Sequence, residues 1–184
     1  MEQNIEVKKK VSVVRNAINY GVLLGIVLII ADLLFYMLNV STDSIFRYLN
    51  FVLIIVGLTV GILNYRNQIN EGIISYEKSL GSGVLIGLFA SVIVAIYMVI
   101  FLKFIDPGMI DEMLRKAEEK MLEKNPSMSD EDIETAMKYT KMFINPVWMS
   151  IWSIIGSTFM SFIASLIISI FTKKKDNSFE SNFR

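Results

Sequence analysis

The sequence predicts an all-α integral membrane protein, with four transmembrane helices and an extracytoplasmic amphipathic helical hairpin between helices 3 and 4. Three observations lead there. Of 184 residues, 53% are hydrophobic and only 20% charged, with a mean hydropathy of +0.51, which is too apolar for a water-soluble domain of this size. Four stretches, residues 17–38, 46–64, 80–105 and 147–171, meet or approach the roughly 20 apolar residues that a helix needs to cross a bilayer core of about 30 Å. Lys and Arg gather at alternate ends of these stretches, as membrane topology requires.

The first span follows Lys8, Lys9, Lys10 and Arg15, as the apolar part of a signal peptide would. Its apolar run is too long and no small-residue cleavage site follows, so it should remain as an anchor. The second span is the shortest and carries Asn50, whereas the third is long enough to tilt. Asp106-Pro107 then reads as the N-cap and first residue of a new helix. Met109, Ile110, Met113, Leu114, Ala117, Met121 and Leu122 recur on one face of it, and Asp111 with Arg115 and Glu112 with Lys116 are spaced to pair on the other. Asn125-Pro126 should end it. Ser129 with Asp132 three residues later forms a cap for a second helix, whose stripe of Ile133, Ala136, Met137, Thr140 and Ile144 runs to Asn145-Pro146, the start of the last span.

Orientation follows from the basic residues. Lys8, Lys9, Lys10 and Arg15 precede the first span, Arg66 and Lys78 lie between the second and third, and Lys173, Lys174, Lys175 and Arg184 follow the fourth. The other side has Arg47 and a long connection in which residues 103–146 carry seven Lys/Arg against ten Asp/Glu. The expected order is a cytoplasmic basic tail (1–16), a membrane domain (17–171) that includes an extracytoplasmic segment (106–146), and a cytoplasmic tail (172–184). Trp148, Trp152 and Tyr48 should mark the outer interface and Tyr65 the inner one.

Helices in lipid associate through small residues and interhelical hydrogen bonds. Each span supplies small residues four apart: Gly21 and Gly25; Gly57 and Gly61; Gly83, Gly87, Ser91 and Ala95; and Ser153, Ser157, Ser161, Ser165 and Ser169. The serine row reads either as a polar lining for a conduction path or as packing contacts, and packing is the ordinary use. Gly21-Val22-Leu23-Leu24-Gly25 and Gly83-Val84-Leu85-Ile86-Gly87 share a pattern, which suggests a duplicated two-helix hairpin.

Histidine and cysteine are both absent, which excludes Ser-His-Asp and Cys-His catalysis, ordinary zinc sites and thiolate-bound clusters. No catalytic set, cofactor site or metal site is expected, and a formal net charge of zero predicts no nucleic-acid partner. Asp32 is the one ionisable residue well inside a span. Ionised there, it costs about 2.5–3.5 kcal/mol on insertion scales, so it must face protein or water or stay protonated. It reads as a cation or proton ligand, or as a hydrogen-bonded tie to Asn50 or the serine row. Arg66 and Lys78 read as headgroup contacts or topological anchors. Gly81-Ser82-Gly83 lacks the Lys-Ser/Thr ending of a phosphate loop. Seven of eleven methionines lie between positions 109 and 149. Methionine can bind copper(I), but sulfurs sharing a face with Ile, Leu and Ala read better as packing or as a partner surface, with Met109, Met113, Met121 and Met137 as its candidates.

Asn64-Tyr65-Arg66-Asn67, Gly72-Ile73-Ile74-Ser75-Tyr76 running to Gly81 and Gly83, and Ile105-Asp106-Pro107-Gly108 together resemble the bacterial membrane family catalogued as domain of unknown function 4199. The resemblance covers roughly residues 13–172, implies a bacterial cytoplasmic membrane and four helices, and adds no catalytic residue. Two functions follow. The first is a non-enzymatic multi-pass protein of the inner membrane, with a structural, accessory or partner-binding role at its outer face and with lipid, a protein partner or a second copy as its contacts. The second is a small oligomeric proton or cation transporter or channel using Asp32, with Asn50 and the serine row.

Overall fold

Each apolar stretch forms a helix, and the polar residues foreseen at the boundaries end it. The computed structural model describes residues 12–40, 47–69 and 72–174. Among these, six α-helices follow one another: α1 (Val13–Met37), α2 (Arg47–Asn64), α3 (Tyr76–Ile100), α4 (Gly108–Lys124), α5 (Asp130–Phe143) and α6 (Pro146–Thr172). A π-helical turn extends α2 over Tyr65–Ile69 and another extends α3 over Phe101–Ile105. Lys8, Lys9, Lys10, Lys175 and Arg184, on which much of the orientation argument rests, lie outside the described residues.

With their π turns, α1, α2, α3 and α6 are long and apolar enough to cross a membrane. Between 17% and 33% of the most apolar window of each is buried in the protein. The rest presents side chains such as Leu23, Ile30, Val52, Ile96, Phe159 and Ile167 outward. Soluble monomers rarely expose an apolar belt of that extent, and the belt suits a lipid surround. α1 and α3 each start four residues earlier than hydropathy alone indicates. Asn16 and Ser79, which precede the expected spans, are taken inside because each has a partner: Asn16 Nδ2 donates to the Gly61 carbonyl (3.0 Å), and Ser79 Oγ lies 2.7 Å from Thr172 Oγ1. Residues 13–16, assigned to the basic tail by sequence, therefore belong to α1.

α3 is the central helix, running parallel to α1 and antiparallel to α6, with α2 against all three. Small residues set these contacts. A Cβ on Gly21 would meet Phe89 Cβ at 2.6 Å and the Ile86 carbonyl at 2.8 Å, and one on Gly57 would meet Leu24 Cδ1 at 2.6 Å. Gly83 lies directly against Ser165, and Gly87 against Ser161. The shared Gly-x-x-x-Gly patterns thus do different things, since Gly21 and Gly25 face α3 whereas Gly83 and Gly87 face α6. Equivalent contacts in a duplicated hairpin would have put the first pair on α2.

The apolar core gathers Ala17, Leu24, Leu58, Ile62, Tyr65, Ile74, Ile86, Ala90 and Ile168. They lie between the middle of the bundle, where Leu24 and Ala90 sit, and the end where α1 begins and α6 finishes, here the terminal end. Tyr65, foreseen as an interfacial aromatic, is 6% exposed within this core. Beyond the π turn that starts there, Arg66 and the loop at Ile74 hydrogen-bond to the end of α6. In that loop Gly72 takes φ +81°, and the Ile74 and Lys174 backbones exchange two 3.0 Å hydrogen bonds. Ser75 caps α3. Arg66 Nη1 donates to the Thr172 carbonyl (3.1 Å), placing a cation where the last carbonyls of α6 lack helical partners. Arg66 is therefore held by the fold itself, beyond the headgroup role that its charge suggested.

At the opposite, hairpin end, Asp106 Oδ1 accepts from the Met109 amide (3.2 Å), Ser129 Oγ accepts from the Asp132 amide (3.3 Å) and donates to its carboxylate (2.6 Å), and Asn145 accepts from the Val147 amide (3.0 Å). Ser129 and Asn145 are the N-caps that the sequence indicated, whereas α4 starts one residue later than expected, with Pro107 in the N-cap position and Asp106 just before it. Glu112 pairs with Lys116, whose hydrogen bond and charge hold the Glu112 carboxyl below its usual pKa. That contribution is present at neutral pH and fades as pH falls through the lowered value. Arg115 pairs with Glu119 rather than Asp111, at 2.6 Å.

Candidate intramembrane site

Filling is uneven along the bundle. The core occupies the terminal end, and toward the hairpin end the helices leave a cavity of about 310 Å³ lined by Leu28, Ile29, Asp32, Asn50, Ile54, Val94, Tyr97, Met98, Ser153 and Ser157. Every spanning helix contributes a polar group: Asp32 from α1, Asn50 from α2, Tyr97 from α3 and two serines from α6. Asp32 and Asn50, the intramembrane pair singled out by sequence, do share one space.

Asp32 Oδ2 accepts from the Tyr97 hydroxyl at 3.0 Å, which ties α1 to α3. The expected tie ran to Asn50 or the serine row, and Tyr97 was missed. A signal existed: in parallel spans brought together by Gly21 and Gly25, Tyr97 lies at the depth of Asp32. Asn50 Oδ1 is shielded and has no hydrogen-bond partner.

The serine row divides. Its step of four residues drifts round the helix by about 40° each time, so the row crosses from one environment to another. Ser153 and Ser157 line the cavity, whereas Ser161, Ser165 and Ser169 are buried at the terminal end, the first two against Gly87 and Gly83. Farther along α3, Ser91 Oγ lies 3.3 Å from Thr158 Oγ1, and Ala95 is 4% exposed.

On the hairpin, Met109, Met113 and Met121 of α4 are half-buried, and Met137 of α5 is buried. Glu112, Lys116, Glu119 and Lys120 are exposed. The two helices leave a groove of about 650 Å³ with Leu114, Leu122, Ile133 and Met137 on its walls and Asp111, Arg115, Glu118 and Lys141 among the charged residues around it. Among the described residues no group of three or more acidic side chains is placed to hold a metal ion.

A bundle of four apolar helices around one polar cavity, with a charged helical hairpin at one end, defines a small multi-pass α-helical membrane protein. The chain belongs to the family described as protein of unknown function, DUF4199, which it matches over residues 19–174. No curated protein and no solved structure matches it. The short motifs that resemble this family now have physical roles. Asn64 donates to Asn16 (2.9 Å), Arg66 and Ile74 fasten the end of α6, and Asp106 accepts from the Met109 amide at the start of α4.

Proposed function

We propose that this protein is a non-enzymatic accessory protein of the bacterial cytoplasmic membrane, with both termini in the cytoplasm and residues 106–146 outside, where the hairpin receives a protein partner or a second copy at the lipid surface. The groove between α4 and α5 carries this reading. Apolar walls with a rim of both charges form the surface that an amphipathic segment would fill. The orientation is supported by the positions of the described basic residues. Arg15, Arg66, Lys78, Lys173 and Lys174 all lie toward the terminal end, while the hairpin segment is acidic. The absence of cysteine makes the test direct. Ser129→Cys should react with a membrane-impermeant maleimide in cells with a permeabilised outer envelope, and Ser178→Cys should react only after lysis. The reverse pattern would invert the assignment.

A second reading, a small oligomeric proton or cation transporter using Asp32, is favoured by one observation: the polar residues of four helices meet in one cavity. It predicts proton or sodium flux in proteoliposomes that disappears in Asp32→Asn.

A further inference from the structure

The cavity between the spanning helices has a one-sided chemistry. Asp32 supplies carboxylate oxygens, Asn50 a shielded amide oxygen with no donor, and Ser153 and Ser157 hydroxyls that can accept. Tyr97 spends its hydroxyl hydrogen on Asp32. None of the side chains that line the space is Lys or Arg. An amide oxygen without a donor and a carboxylate within a span both carry a desolvation cost, and a cation placed between them offsets both.

The other half of the lining, Leu28, Ile29, Ile54, Val94 and Met98, is apolar. A bare metal ion would leave that half unused. An ammonium head on a hydrocarbon body uses both halves, with its N–H donors toward Asp32 and Asn50 and its body against the aliphatic wall. At about 310 Å³ the space is at the small end for organic ligands, and on a water-sized share of volume it holds about ten heavy atoms.

Toward the terminal end the space closes. Beyond Ser157 the next contacts are Ser161 against Gly87 and Ser165 against Gly83, with Leu24, Leu58, Ile62 and Ile86 buried beside them. We propose that this cavity is a blind binding site for a small hydrophobic ammonium ion, closed toward the terminal end of the bundle, with Asp32 as counter-ion and Asn50 as acceptor. The proposal is independent of what the hairpin binds, and it shares the cavity, with Asp32, Asn50 and the serines, with the transport reading.

The test is equilibrium binding of radiolabelled 2-phenylethylammonium to the full-length protein in lipid nanodiscs, which expose both faces and so make the result independent of orientation. Saturable binding is expected that sodium chloride and the neutral isostere 2-phenylethanol do not displace. Asp32→Asn, which keeps an acceptor for Tyr97, should weaken it roughly tenfold or more. Ile54→Trp, which fills the space from α2, should abolish it. A quaternary analogue that does not cross lipid unaided should not accumulate in proteoliposomes. No saturable binding, equal competition by the alcohol or by sodium, or unchanged affinity in Asp32→Asn would overturn the assignment, and accumulation of the quaternary ion would overturn the blind site in favour of a carrier.

Discussion

Gly87→Leu should destabilise the bundle by about 3 kcal/mol or more, the upper range for bulk forced into a packed interface. Even the first carbon of the new side chain would collide with Ser161 Cβ and Oγ, and Ser161 Cα lies only 3.7 Å from that carbon. A serine whose own Cβ is in the contact cannot rotate away, so α3 and α6 must separate. That separation would also open the seam at Gly83 and the Ser91–Thr158 contact. Gly156→Leu is the matched control, since nothing lies within 4 Å of a Cβ there and the chemical change is identical. Val92→Leu, on the outer face of α3, should stay within about 0.5 kcal/mol. Unfolding by added sodium dodecyl sulfate in mixed micelles measures all three, and equal midpoints for the two glycine variants would remove the α3–α6 seam as the main contact.

Met137→Asp should melt the hairpin while leaving the spans intact. Met137 is the one buried residue in α4 and α5, at 8% exposure, so the segment has a single anchor point rather than a core. Removing a buried methionine costs about 2–5 kcal/mol, and a carboxylate in its place adds desolvation. Hydrogen exchange in nanodiscs should show protected amides over 109–144 in the wild type and their loss in the variant, with the spanning helices unchanged. Met142→Asp, at a position 55% exposed, should leave protection as it was. Fast exchange of the wild-type segment would show that the caps alone do not hold an ordered hairpin.

What was legible beforehand was local. Span number, hairpin helices and caps depend on apolar length, 3.6-residue periodicity and side chains that bond amides two or three residues away, so Asp106, Ser129 and Asn145 could be read directly. Pairing between helices was legible only as a stock of small residues. Gly83 and Gly87 were marked as contacts, but that they meet Ser165 and Ser161, and that Gly21 faces α3 rather than α2, depends on how four near-featureless apolar cylinders choose neighbours. Tyr65 and Arg66 carried the signs of an interface and of a charge anchor, and the fold turned one into the core and the other onto the last turn of α6.

The sequence by itself determined that four helices cross a membrane with a charged hairpin between the last two, because in lipid every backbone group must bond within its own helix and that constraint is written residue by residue. Only the tertiary structure decided that Asp32, Asn50, Tyr97, Ser153 and Ser157 line one cavity. They lie on four helices, and their meeting depends on the uneven filling of the bundle: small residues and a buried aliphatic cluster close the terminal end and leave a cavity nearer the hairpin end.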